Sequence, residues 1–163
     1  MRLAILTVSD SVMKGTREDL SGQTIVDWCA SRRYDVADRA TVTDDTSEIA
    51  PILCRWCDSD SIDLVLTTGG TGLSPRDVTP EATSAVIERE AQGIAEYLRA
   101  ASFGKFPRAA LSRGVAGVRG RTLVVNLPGS PSGVRDSLAI LESIVDHAVD
   151  VVAGRTSHDE SVR

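Results

Sequence analysis

The sequence predicts a single three-layer α/β domain built on a mostly parallel sheet, and three observations carry that class. Short β-prone runs alternate with helical ones along the chain, the pattern of repeated βα units. The clearest strand, Asp63-Leu64-Val65-Leu66-Thr67-Thr68, runs straight into Gly69-Gly70-Thr71-Gly72, and ligands bind at that edge of open α/β sheets. The chain has 163 residues, 42% of them apolar, which suits one core and leaves little for a second.

Leu3 to Val8 is a short apolar run that reads as a first strand buried on both faces. The polar stretch Ser9–Leu20 is long for a βα connection and points to a functional loop. Ser21 is the expected cap of a helix reaching about Ser31, and Tyr34–Val42, with Asp35, Asp38 and Arg39, reads as a strand nearer an edge. The next helix spans about Thr46 to Asp58. With Ser47 as its cap, Pro51 falls early enough in the helix to lose no hydrogen bond. Thr79-Pro80-Glu81 predicts a helix start, with Thr79 as cap. A further helix is expected from about Gly93 to Ser102, and the last strand at Thr122–Leu127. From a Ser130 cap and Pro131, the positions Val134, Leu138, Leu141, Val145, Ala148 and Val152 predict one closing helix, ended by Gly154. The domain is therefore placed at 1–154, with a polar, frayed tail at 155–163.

Composition narrows the function. Eighteen basic residues against 23 acidic ones give a net charge of -5, which argues against a nucleic-acid partner but not against a small anion held by local donors. No apolar run is long enough to span a membrane, and the N-terminal run is too short for a signal peptide. Three cysteines do not make a disulfide framework, and the chain reads as a cytoplasmic protein. Cys54-Arg55-Trp56-Cys57 lies inside a predicted helix, away from the helix N-terminus where a redox thiolate is stabilised. His147 and His158 offer no obvious base for a hydrolytic triad, and Trp28 and Trp56 read as packing residues.

Four loops carry candidate chemistry. In Gly69-Gly70-Thr71-Gly72-Leu73-Ser74-Pro75-Arg76-Asp77, glycines let backbone N–H groups surround an anion, Arg76 offers a phosphate fork, and Asp77 a hard oxygen for Mg²⁺. It is neither a Walker loop nor Gly-x-Gly-x-x-Gly. Asn126-Leu127-Pro128-Gly129-Ser130-Pro131 presents backbone donors at the start of the last helix. Asp44-Asp45 can hold Mg²⁺ beside phosphates, although one of the two fits a helix cap equally well. Ser9-Asp10-Ser11 fits a binding loop or a solvated one.

Taken together these residues resemble the molybdopterin adenylyltransferases, the MogA/MoaB family. Leu64 to Gly72 followed by Pro75-Arg76-Asp77-Val78-Thr79-Pro80-Glu81-Ala82 carries the signature. Ser9-Asp10 with Gly15 and Ser21-Gly22, the Asp44-Asp45 turn, Leu111-Ser112-Arg113 with Gly117 and Gly120, and Asn126-Leu127-Pro128-Gly129 with Pro131 extend the match over nearly the whole chain. The resemblance implies a homotrimer that binds molybdopterin and ATP at the strand C-termini. It implies Mg²⁺-dependent transfer of AMP to the terminal phosphate of molybdopterin, with release of pyrophosphate. Asp77 and Asp44 are then the expected catalytic residues, and Asp44, Asp45 and Asp77 the metal ligands. Ser9, Asp10, Gly69, Gly70, Thr71, Gly72, Arg76, Asn126, Pro128, Gly129, Ser130 and Pro131 are the expected binding residues. Without the extra domains of the molybdate-inserting partner, the chain is expected to hand its product to another protein. The alternative is a molybdopterin carrier or scaffold that performs no transfer. It needs the glycine loops but has no use for both Asp77 and the Asp44-Asp45 pair.

Overall fold

The computed structural model describes residues 1–155. Six strands, β1 (Arg2–Val8), β2 (Asp35–Val42), β3 (Leu64–Thr68), β4 (Arg89–Glu90), β5 (Ala116–Arg119) and β6 (Thr122–Leu127), form one sheet in the order β2-β1-β3-β6-β5-β4. The first four in that order are parallel, and β5 and β4 add antiparallel at one edge. The expected mostly parallel sheet is therefore present, and charged β2 stands at the other edge.

Among the described residues seven α-helices accompany the sheet: α1 (Asp10–Met13), α2 (Leu20–Ser31), α3 (Thr46–Cys57), α4 (Thr79–Val86), α5 (Gln92–Phe103), α6 (Pro131–Leu141) and α7 (Val145–Val152), with a 3-10 turn at Pro107–Leu111. Strand alternation makes the three layers. Leu3, Ile5, Leu64, Leu66, Leu123 and Val125 pack with residues of α2, α5, α6 and α7, whereas Ala4, Leu6, Val65 and Val124 face α3 and α4.

Several expectations are corrected. The α2 cap is Asp19, which accepts from the Gly22 amide at 2.8 Å, and not Ser21. Asp45, not Ser47, caps α3, and Pro51 lies two residues deeper in the helix than expected; having no N–H, it leaves the Ser47 carbonyl without its i+4 partner, which a Ser47 cap would also have done. Thr79 is inside α4 and sends its hydroxyl to the Gly69 carbonyl at 2.8 Å. The closing helix is two helices. Ser143 Oγ donates to the Ile140 carbonyl at 2.9 Å at the break, and the apolar spacing continues because both halves cover the same core. The β4 and β5 strands and α1 were not anticipated. Ser130 does cap α6, and Gly154, at φ +67°, closes α7. Of the expected frayed tail only Arg155 is among the described residues, where it donates to Asp150 and Asp63 at 2.9 and 3.1 Å. The rest of that tail, with His158, lies outside them.

Candidate functional site

The chain leaves β1 toward β2 on one side and leaves β3 toward β6 on the other, so the loops after β1 and β3 diverge at the C-terminal edge of the sheet. Such a switch point opens a crevice. Here it is a cleft of about 360 Å³, lined among others by Thr7, Ser9, Asp44, Gly70, Gly129 and Ser130.

The glycine loop forms one wall because its backbone passes where side chains cannot. Gly69 has φ +96°, and a Cβ there would sit 2.2 Å from the Val8 carbonyl oxygen. Gly70 has φ +64°, and its Cβ would meet Thr79 Oγ1 at 2.4 Å and Asp44 Oδ1 at 3.3 Å. Thr71 is buried and its carbonyl accepts from the Arg113 amide at 2.8 Å. At the loop tip Asp77 Oδ2 accepts from the Ser74 amide at 2.8 Å, and a Cβ on Gly72 would approach that same oxygen to 2.9 Å.

Asp44 lines the cleft opposite and is paired with Asp10, which is not among the lining residues. Asp10 donates its amide to Asp44 Oδ2 at 2.8 Å, and Asp44 returns its own to Asp10 Oδ1 at 3.1 Å. Arg76 reaches across from the glycine loop to Asp10 Oδ2 at 2.7 Å. The Asp44 amide first, and the Arg76 guanidinium next, hold the Asp10 carboxyl below its usual range. Ser9 caps α1 through the Val12 amide. Asp45 points elsewhere: its Oδ1 accepts from the Ser47 amide and hydroxyl at 2.8 and 2.7 Å. The acidic pair is thus divided, Asp45 to the helix cap and Asp44 to the cleft.

The final loop closes the site. Thr68 Oγ1 donates to the Pro128 carbonyl at 2.6 Å, and a Cβ on Gly129 would lie 3.2 Å from Gly69 Cα. Ser130 accepts from the Gly133 amide at 3.1 Å, which sets the N-terminus of α6, begun by Pro131, against the cleft. Asn126 is buried just before this loop. Its amide donates to Thr67 Oγ1 and Thr83 Oγ1 at 2.9 and 3.0 Å, and its oxygen accepts from the Val115 amide at 3.2 Å. A smaller cavity of about 120 Å³, lined by Leu98, Phe106, Ser112, Gly114 and Asn126 among others, meets the cleft at Ser130.

Among the described residues no three His, Cys, Asp or Glu side chains cluster closely enough to cage a metal. Magnesium beside a nucleotide asks for less, since one or two carboxylates suffice when phosphates fill the remaining positions. Asp44 fits that role: Oδ2 is engaged by Asp10, and Oδ1 faces the glycine loop with no hydrogen bond of its own among the described residues.

Residues 4–147 match the probable molybdopterin binding domain. The chain belongs to that family. Within the probable molybdopterin binding domain family, the molybdopterin adenylyltransferase of Helicobacter pylori J99 is 36% identical over 156 residues, covering 94% of this chain and 89% of its own length. The enzyme of that name from Escherichia coli K12 is 36% identical over 154 residues, 93% of this chain and 77% of its own. Among solved structures, the molybdopterin biosynthesis enzyme MoaB of Thermus thermophilus superimposes with a TM-score of 0.89 at 48% identity, over 94% of this chain and 96% of that one. The two segments that carry the family resemblance, Gly69–Gly72 and Pro75–Ala82, are the glycine loop and its continuation into α4.

Residue types alone did not point to three contributors. Thr7 lines the cleft and donates to Asp19 Oδ2 at 2.8 Å, Thr68 fixes the final loop, and Arg113 clasps the glycine loop from outside. Threonine alternating in a β-strand looks like ordinary strand chemistry.

Proposed function

We propose that the chain is a molybdopterin adenylyltransferase of molybdenum cofactor biosynthesis, which transfers AMP from ATP to the terminal phosphate of molybdopterin. An oxygen of that phosphate attacks the α-phosphorus of ATP, the bond from the α-phosphorus to the bridging oxygen breaks, and pyrophosphate leaves. One phosphate approaching another must overcome charge repulsion, so donors and cations matter more than a strong base.

One observation carries the reading beyond kinship: the carboxylate of Asp44, the backbone of Gly69–Gly70 and the N-terminus of α6 converge on one cleft. The glycine loop and the α6 N-terminus hold phosphates through backbone N–H groups, and Arg76 adds a guanidinium at the rim. Asp10 keeps Asp44 oriented. Asp44 and Asp77 are the residues that would hold magnesium, and Asp45 serves α3 instead. Magnesium bound with ATP supplies charge neutralisation of the phosphates and of the departing pyrophosphate. Asn126 shapes the final loop from beneath.

The same reading includes a homotrimer, a cytoplasmic location, a catalytic unit over residues 1–154, and handover of adenylylated molybdopterin to a separate molybdate-inserting protein. Its basis for these is the family resemblance. The direct test is pyrophosphate release from Mg-ATP by the purified chain under anaerobic conditions. Release that requires molybdopterin is expected. Tight molybdopterin binding without release would favour a carrier instead.

A further inference from the structure

We propose that Arg113 is a positioning residue that staples the two legs of the Gly72–Asp77 loop and so fixes where Asp77 stands at the loop tip. The catalytic consequence rests on the adenylyltransferase reading, whereas the staple itself does not.

Arg113 follows the 3-10 turn on a segment anchored to β6. The Val115 amide donates to Asn126 Oδ1 at 3.2 Å, the Asn126 amide donates to the Val115 carbonyl at 3.0 Å, and a Cβ on Gly114 would lie 3.3 Å from the Asn126 carbonyl oxygen. From this fixed base the Arg113 amide donates to the Thr71 carbonyl at 2.8 Å. Its Nε donates to the Gly72 carbonyl at 2.8 Å and its Nη2 to the Asp77 carbonyl at 2.5 Å. Both terminal nitrogens also engage the Glu81 carboxylate in the first turn of α4.

These partners lie on both sides of the loop tip. The loop's own bonds tie its tip and its base and leave the two legs unlinked. Ser74 and Asp77 close the tip through the 2.9 and 2.8 Å pair between them, and Thr79 closes the base on Gly69 and Gly70. Leu73, Ser74, Pro75 and Arg76 are exposed and bury too little to hold the legs apart at a fixed distance. The planar guanidinium bridges that gap because its donors diverge in a rigid fork. A lysine at 113 would keep the charge but offer one nitrogen, which cannot reach the Gly72 and Asp77 carbonyls and the Glu81 carboxylate together. The neighbours Ser112 and Gly114 line the smaller cavity, so the staple also joins that cavity's wall to Asp77.

The test compares the intact wild-type chain with Arg113→Lys and Arg113→Ala. Amide exchange is followed at 71–77 without ligand, using β1 and β3 as internal reference, and kcat and KM for ATP come from pyrophosphate release. Arg113→Lys should speed exchange at 71–77 at least about tenfold with the strands unchanged. It should also lower kcat about 10- to 100-fold while KM for ATP moves less than about threefold, the mark of misplacement rather than lost binding. Unchanged exchange at 71–77 in the lysine variant would overturn the staple. Restored kcat with lysine would overturn the need for a fork. Should Arg113→Ala fail to fold, the lysine variant still decides. A wild-type chain that releases no pyrophosphate would defeat the enzyme reading, while the exchange comparison would still judge the staple.

Discussion

Asp10 and Asp44 grip each other through their backbones, each amide donating to the other's carboxylate, at 2.8 and 3.1 Å. This exchange ties the loop after β1 to the loop after β2 and leaves one Asp44 oxygen facing the glycine loop. The Asp44 amide, donated to the Asp10 carboxylate, is the first of the groups that favour its ionised form.

The clamp makes stability sensitive to acid. The Asp44 amide and then Arg76 hold the folded Asp10 carboxyl below its ordinary 3.8. The folded chain therefore binds this proton less readily than the unfolded one. The contribution is whole above the unfolded value and disappears as pH falls through the lowered folded value. Thermal unfolding between about pH 5 and pH 3 should be less pH-dependent in Asp10→Asn than in wild type. Equal slopes would contradict the clamp.

Asp44 and Asp45, adjacent in sequence, should separate in experiment. Asp45→Ala removes the α3 cap and should cost about 1 kcal/mol of stability with little change in kcat. Asp44→Asn can still accept from the Asp10 amide, so it should fold normally and lose pyrophosphate release by at least about 100-fold. Denaturant unfolding and turnover of the two variants give the answer, and the reverse pattern would place the metal role on Asp45.

Gly69→Ala should be strongly destabilising. The new Cβ would stand 2.2 Å from the Val8 carbonyl oxygen at a φ of +96°, so backbone must move. A loss of about 2 to 4 kcal/mol is expected from strain and overlap combined. A denaturant midpoint unchanged from wild type would show that this crossing of β1 and the glycine loop is looser than described.

Asn126→Ala removes a side chain that satisfies Thr67, Thr83 and the Val115 amide in the interior. Leaving buried polar groups without partners should cost about 2 to 4 kcal/mol. Chemical denaturation measures it; a loss of turnover with no loss of stability would assign Asn126 to the ligand instead.

The cysteines should react unequally. Burial pushes Cys29 up to about 11 and Cys57 up to about 12, so neither is a thiolate near neutral pH. Native alkylation with iodoacetamide should label the half-buried Cys54 alone, with Cys29 and Cys57 labelled only on unfolding. Rapid labelling of all three would reopen a redox role for the Cys54–Cys57 pair.

The parallel core was legible because β1, β3 and β6 are apolar on both faces and meet turn residues at once. The β5 strand was hidden by its composition. Gly117 interrupts the apolar pattern, yet a Cβ there would meet Ile87 Cδ1 at 2.4 Å and the Arg89 carbonyl oxygen at 2.7 Å, so tertiary packing demands the glycine that obscures the strand. Two caps were misplaced where a second capping residue lies two positions away: Asp19 caps instead of Ser21, and Asp45 instead of Ser47. For the cleft, the glycine loop, Asp44 and the final loop could be named from their chemistry, whereas Asp77, named with them, is not among its lining residues. The loops' meeting point could not be named, because it depends on β1 lying between β2 and β3. Arg113 was visible only as part of a family segment, since its side-chain partners are 32 to 41 positions away.

The most direct test is transfer of a label from the α-phosphate of ATP to molybdopterin by the wild-type chain, read by anaerobic chromatography and mass spectrometry of the product. Adenylylated molybdopterin carrying the label, with an equal amount of pyrophosphate, is the predicted result. Unmodified molybdopterin recovered from a saturated, folded protein with ATP and magnesium present would contradict it.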